Sequence, residues 1–177
     1  MQQASRRAYL VLGPESSGTR LMTRILIAGG CTGDDGHAQR WDAKLPEDVS
    51  PIVWRRSVPH GGYWPDVERC IAALEVRGYQ VTVVVTMRDW WAVVRSQVAV
   101  GHVESEEQAL TNLRVAYRLI FSGLLAHPVD YVVVGYEGLV QRSKTVLAWL
   151  SERLGLARVA DVVIYDGNTK HTEEAVC

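Results

Sequence analysis

Short apolar runs broken by glycine, proline and polar clusters organise this chain. "AYLVL" (8–12) ends at Gly13-Pro14 and reads as a buried strand. "QVTVVVTM" (80–87) is an unbroken, β-branched-rich run, the pattern of a strand buried on both faces. "VDYVVVGY" (129–136) has the same character and predicts a further central strand, and "PIVW" (51–54) suggests one more. Between these runs the apolar period lengthens. Thr19 to Ala28 predicts a helix with Leu21, Ile25 and Ala28 on one face, stopped by Gly29-Gly30. "PDVERCIAALEVRGY" carries proline at a helix start and glycine near its end. A helix is expected from about Trp90. Another, "ESEEQALTNLRVAYRLIFSGLLA", opens on acidic residues that suit the helix dipole. "SKTVLAWLSERLGL" is amphipathic, and "DVVIYDGNTKH" reads as a short extended piece and tail.

Strands alternating with helices predict an α/β fold: a three-layer, P-loop-type domain with a central parallel sheet flanked by helices. The length of 177 residues fits one such domain over the whole chain. In these sheets ligands bind beyond the carboxyl ends of the strands, so the residues after each run carry the chemistry. Residues 29–64, rich in Gly, Pro and Asp, form a long irregular segment of the kind that is often functional.

Composition narrows the field only modestly. A formal net charge of −1 argues against a strongly electrostatic nucleic-acid binder. Cys31, Cys70 and Cys177 form neither a CxxC pair nor a metal-like spacing, which fits a reducing cytoplasm. No apolar run approaches membrane-spanning length.

After the first strand, Gly13 and Gly18 bracket four residues in a G-x-x-x-x-G skeleton. Such a loop points successive backbone N–H groups at one anion, and the following helix adds its positive end. Ser16, Ser17 and Thr19 add hydroxyls. A nucleoside-triphosphate loop would continue Gly-Lys-Ser/Thr, but Thr19 and Arg20 stand there, against a kinase reading. After the long apolar run comes "MRDWWAVVRS", with Arg88 at the strand end and Ser96 eight positions on. An arginine there can grip a phosphate with its fork of donors.

"GPESSGTRL" resembles the 5′-phosphosulfate loop of the sulfotransferases, and "MRDWWAVVRS" their Arg…Ser motif. "VGYEGLV" and "IYDGNTKH" are similar to later segments of the same family, and the four pieces occur in family order. The resemblance implies the sulfotransferase fold, 3′-phosphoadenosine-5′-phosphosulfate (PAPS) as donor and no metal. It assigns Ser16, Ser17, Gly18, Thr19 and Arg20 to the 5′-phosphosulfate and Arg88 and Ser96 to the 3′-phosphate. It also places Ser16 where the family carries a cation. Arg20 is the proposed replacement, with Arg55, Arg56 and Lys170 as others.

For the base, the resemblance aligns Ser57 with the family's position, with His60 just past Pro59. His60 is favoured, since it lies in a Gly-rich loop beside Arg55 and Arg56 with a pKa suited to neutral pH. His37, with Asp35 and Glu15 behind it, is next, and His102 and His127 read as structural. Trp41, Trp54, Tyr63 and Trp64 either stack on a sugar or aromatic acceptor or form the small core beneath their loop. Trp90 and Trp91 divide in the same way between pocket and core. The acceptor is then a small molecule or glycan. The other readings are a P-loop kinase for a small molecule or nucleoside, needing Asp89 as metal-holding acid, and a non-catalytic nucleotide-binding module.

Overall fold

The computed structural model describes residues 6–33, 49–157, 159 and 162–169. Its sheet is built from β1 (Arg6–Gly13), β2 (Ile52–Ser57), β3 (Tyr79–Met87) and β4 (Asp130–Gly135). The order is β2-β1-β3-β4 and every neighbouring pair is parallel. The helices are α1 (Thr19–Ala28), α2 (Val67–Glu75), α3 (Trp90–Ala99), α4 (Glu106–Ala126), α5 (Tyr136–Gln141) and α6 (Ser143–Leu154).

Side-chain alternation sorts the core into two halves. Leu10, Leu12, Ile52, Trp54, Val83 and Val85 face a cluster completed by α2, α3 and α4. Tyr9, Val11, Val53, Val84, Val132 and Val134 face a second cluster with α1, α5 and α6. The result is the three-layer α/β sandwich expected from the sequence. Cys31 and Cys70 are buried free thiols, each pushed up to about 12 by desolvation. Among the described residues no helix is long and apolar enough to cross a membrane.

Several details depart from the expectations. β4 is an edge strand among those described, not a central one, and its exposure alternates. Val132 and Val134 face the core, while Tyr131 and Val133 remain 48% and 40% exposed. The buried stripe of α1 is Met22, Ile25 and Leu26; Leu21 is half-buried and Ala28 exposed. The sheet rotates the helix by about one position relative to the periodicity. β2 runs beyond its apolar part through Arg55, Arg56 and Ser57, carried by parallel pairing with β1. α5 was not foreseen; it is six residues long, too short for a periodic signal.

Helix ends follow local chemistry. Asp66, Asp89 and Ser105 cap α2, α3 and α4 by accepting from Arg69, Ala92 and Gln108 amides respectively. α1 differs: Gly18 caps it with no side-chain hydrogen bond and no acid lies in its first turn. That helix start sits at the carboxyl end of β1.

Candidate active site

Between β1 and α1 the chain turns back on itself. The Ser17 amide donates to the Pro14 carbonyl at 3.1 Å. Ser16 (φ 67°) and Gly18 (φ 97°) both adopt the left-handed region, which makes the turn tight enough to aim α1 at the strand end. Gly18 is demanded twice, since a Cβ there would lie 3.0 Å from the Tyr136 ring. Ser17 is fully buried, and its hydroxyl lies 2.7 Å from Thr86 Oγ1 at the end of β3. Thr19 Oγ1 lies 3.3 Å from Ser57 Oγ at the end of β2. The loop is thereby fastened to both neighbouring strands.

A cleft of about 450 Å³ opens above these strand ends. Ser16, Gly18, Thr19, Arg20, Arg88 and His60 all line it, so residues far apart in sequence converge on one site. Ser17 does not: its hydroxyl meets Thr86 on β3 and its amide donates within the loop. Ser96 is half-buried on α3 and is not among the lining residues. Lys170, His37, Asp35 and Trp41 lie outside the described residues.

Arg88 is fixed from several directions. Its Nη1 donates to the Ser16 carbonyl at 3.0 Å and its Nε to Asn168 Oδ1 at 2.7 Å. The guanidinium sits 4.6 Å from the centre of the Tyr136 ring. Its Nη2 is buried with no hydrogen-bond partner among the described residues. Tyr136 in turn donates to the Tyr165 carbonyl at 2.9 Å and accepts from the Gly167 amide at 2.7 Å. Glu137 Oε1 accepts from the Asp89 amide at 2.9 Å and from Asn168 Nδ2 at 3.3 Å. Tyr136 and Glu137 of "VGYEGLV" and residues 165–168 therefore meet around Arg88.

The candidate cations separate by strand alternation. Arg55 shares a face of β2 with Val53 and Ser57 and lines the cleft, although only 7% exposed. Arg56 points to the opposite face, its guanidinium 4.5 Å from the centre of the Trp54 ring. Arg20, in the first turn of α1, is exposed at the cleft. Trp54 itself is core at 1% exposure, Trp64 packs against the same cluster, and Tyr63 is 57% exposed. Trp90 and Trp91 are 41% and 54% exposed. Asp89 spends its carboxylate on capping α3, at 2.9 Å from the Ala92 amide.

On the other side of the loop, Glu15 is buried at 8% exposure. Its Oε1 accepts from the Gly61 amide at 2.8 Å and lies 3.8 Å from His60 Nδ1, and its Oε2 lies 3.6 Å from His102 Nδ1. His102, read from sequence as structural, lines the cleft instead. His127 does have a structural partner, Glu75 Oε2 at 2.7 Å. Burial holds the His60 pKa below the ordinary histidine value; Glu15 opposes this, while Arg55, Arg56 and His102 reinforce it. Gln97, 2% exposed, donates to the Glu15 carbonyl at 2.8 Å. Its sequence signal was a polar residue on the apolar face of Val93 and Val94. Nothing local marked His102, because its place depends on where α3 ends.

The described chain superposes on a sulfotransferase domain from the olefin synthase of Synechococcus PCC 7002 with a TM-score of 0.57. The match covers 97% of this chain and 86% of that one, at 15% identity. The fold is a sulfotransferase fold. No protein-family model matches the sequence, and no curated protein matches it. Among the described residues no group of three His, Cys, Asp or Glu side chains is placed to hold a metal ion.

Proposed function

We propose that this protein is a PAPS-dependent sulfotransferase acting on a hydroxyl or amine of a small molecule or glycan. The observation that carries the reading is Arg88: a clamped guanidinium with a spare buried Nη2, held against the loop that starts an uncapped helix. The residues present suit a nucleotide with two separate anionic groups. The Gly18–Arg20 helix start is open to one, where backbone N–H groups and the dipole favour negative charge. Arg88 suits the other, with Ser96 as its proposed second contact.

When bound, the donor would supply a sulfuryl group. Its transfer forms a bond from the acceptor oxygen or nitrogen to sulfur, leaves the broken bond's electron pair on the phosphate, and releases the acceptor's proton. His60 takes that proton. Nδ1 lies 3.8 Å from Glu15 Oε1, so Nε2 is the proposed acceptor nitrogen, and the lowered pKa favours the neutral ring. Position 16 offers no cation, so Arg20, with Arg55 behind it, neutralises the charge that develops on the phosphate. The kinase reading is weaker, because Asp89 is committed to a helix cap.

Calorimetric titration with 3′-phosphoadenosine-5′-phosphate tests the assignment. Binding that weakens roughly ten- to a hundredfold in Arg88→Ala is the expected result. No binding to the native chain, or binding indifferent to Arg88→Ala, would overturn it.

A further inference from the structure

Glu15 is an unusual occupant of an anion-binding loop, and its surroundings show a built arrangement. The carboxylate is fixed by the Gly61 amide at 2.8 Å, and the residue's carbonyl by Gln97 Nε2 at 2.8 Å. His60 and His102 then approach opposite oxygens of that one carboxylate. Each histidine also has a backbone anchor of its own. His60 exchanges both backbone hydrogen bonds with Tyr63, at 2.7 and 3.0 Å, and the His102 amide donates to the Gln97 carbonyl at 2.9 Å. Three segments, the β1–α1 loop, the turn after β2 and the end of α3, therefore bring one acid and two bases to the same wall of the cleft.

We infer that Glu15 is a positioning residue that couples His60 and His102 into one proton-accepting pair on the acceptor side of the cleft. The inference rests on the sulfotransferase reading for its chemical role, but the coupling is a property of this chain alone. At 3.8 Å from His60 Nδ1 the carboxylate acts through its charge, favouring the imidazolium formed when Nε2 accepts the acceptor's proton. His102 faces the other oxygen of the same carboxylate, and charge on its ring disfavours a proton on His60. Arg55 and Arg56 oppose that proton as well, and among the described residues Glu15 is the group facing His60 that favours it.

NMR titration of the two imidazoles, assigned through His60→Gln and His102→Gln, tests the coupling without any turnover. Glu15→Gln keeps an acceptor for the Gly61 amide while removing the charge. The His60 midpoint should fall in Glu15→Gln and rise in His102→Gln. In turnover, Glu15→Gln should lower kcat by roughly tenfold or more, with donor KM little changed and Glu15→Asp recovering part of the loss. Unchanged midpoints in both variants would overturn the pairing, as would a Glu15→Gln defect that lies wholly in donor binding. Should Glu15→Gln fail to fold, the rise in His102→Gln decides the matter. Failure of the native chain to bind 3′-phosphoadenosine-5′-phosphate would sink the sulfotransferase reading, while the titration would still decide the coupling.

Discussion

Arg88 reaches across 72 positions of sequence to donate from Nη1 to the carbonyl of Ser16, at 3.0 Å. Ser16 is in the left-handed region, and that conformation helps shape the turn whose carbonyl the arginine meets. The strand-end cation and the loop are thus one structural unit. A ligand gripped by Arg88 would also feel the orientation of the loop amides.

The first prediction separates charge from geometry at this unit. Arg88→Ala should weaken binding of 3′-phosphoadenosine-5′-phosphate by roughly ten- to a hundredfold, the scale of one or two charge-assisted hydrogen bonds. Arg88→Lys should recover only part of it, because a lysine cannot reproduce the fork that spans Ser16 and Asn168. Calorimetry on both variants, with thermal melts as a folding control, checks this.

Arg20 is expected to act on turnover more than on binding. Arg20→Ala should lower kcat by about a hundredfold while product affinity changes much less, as for loss of one group aimed at developing charge. A steady-state assay paired with product titration would show the split. An equal loss in both would place Arg20 in ground-state binding instead.

Tyr136→Phe removes a hydroxyl that serves the Tyr165 carbonyl and the Gly167 amide but leaves the ring beneath Arg88. The cost should be about 1–2 kcal/mol, concentrated in the 165–168 segment. Hydrogen exchange should show the Gly167 amide losing protection while β3 amides keep theirs.

Gly13→Ala should be severe. The added methyl would lie 2.2 Å from Thr86 Oγ1 and 2.5 Å from Ser17 Oγ, both buried. Overpacking of this kind costs roughly 1–3 kcal/mol. Urea melts should show the loss, and Thr86→Ala should return part of it by removing the nearer atom.

The pH dependence follows from His60. Its pKa is lowered in the folded chain, first by burial, so the folded state binds its proton less readily than the unfolded state does. Stability from this group is present above the unfolded histidine pKa and falls as pH drops below it. For catalysis the same shift extends the active range: the acid limb of kcat/KM should lie below the ordinary histidine value and vanish in His60→Gln.

Local patterns along the chain were enough for the layered α/β fold and most of its elements. Apolar runs ending at Gly13 and Arg88, and helices bounded by glycines and capping acids, are local signals that the sheet only had to accept. The sequence also marked the loop from Gly13 to Gly18, because a left-handed turn feeding a helix leaves glycines at fixed places. Tertiary structure decided the rest. That β4 lies at the edge of the described sheet depends on strand order, which no local pattern encodes. Strand alternation turned Arg55 to the cleft and Arg56 to Trp54, although the two are adjacent in sequence. Ser17 became a fastening and His102 a lining residue because Thr86 and Glu15 wait opposite them, contributed by other segments of the chain. Side-chain roles of this kind are set by which partner is within about 3–4 Å, and only the folded packing of distant segments supplies that partner.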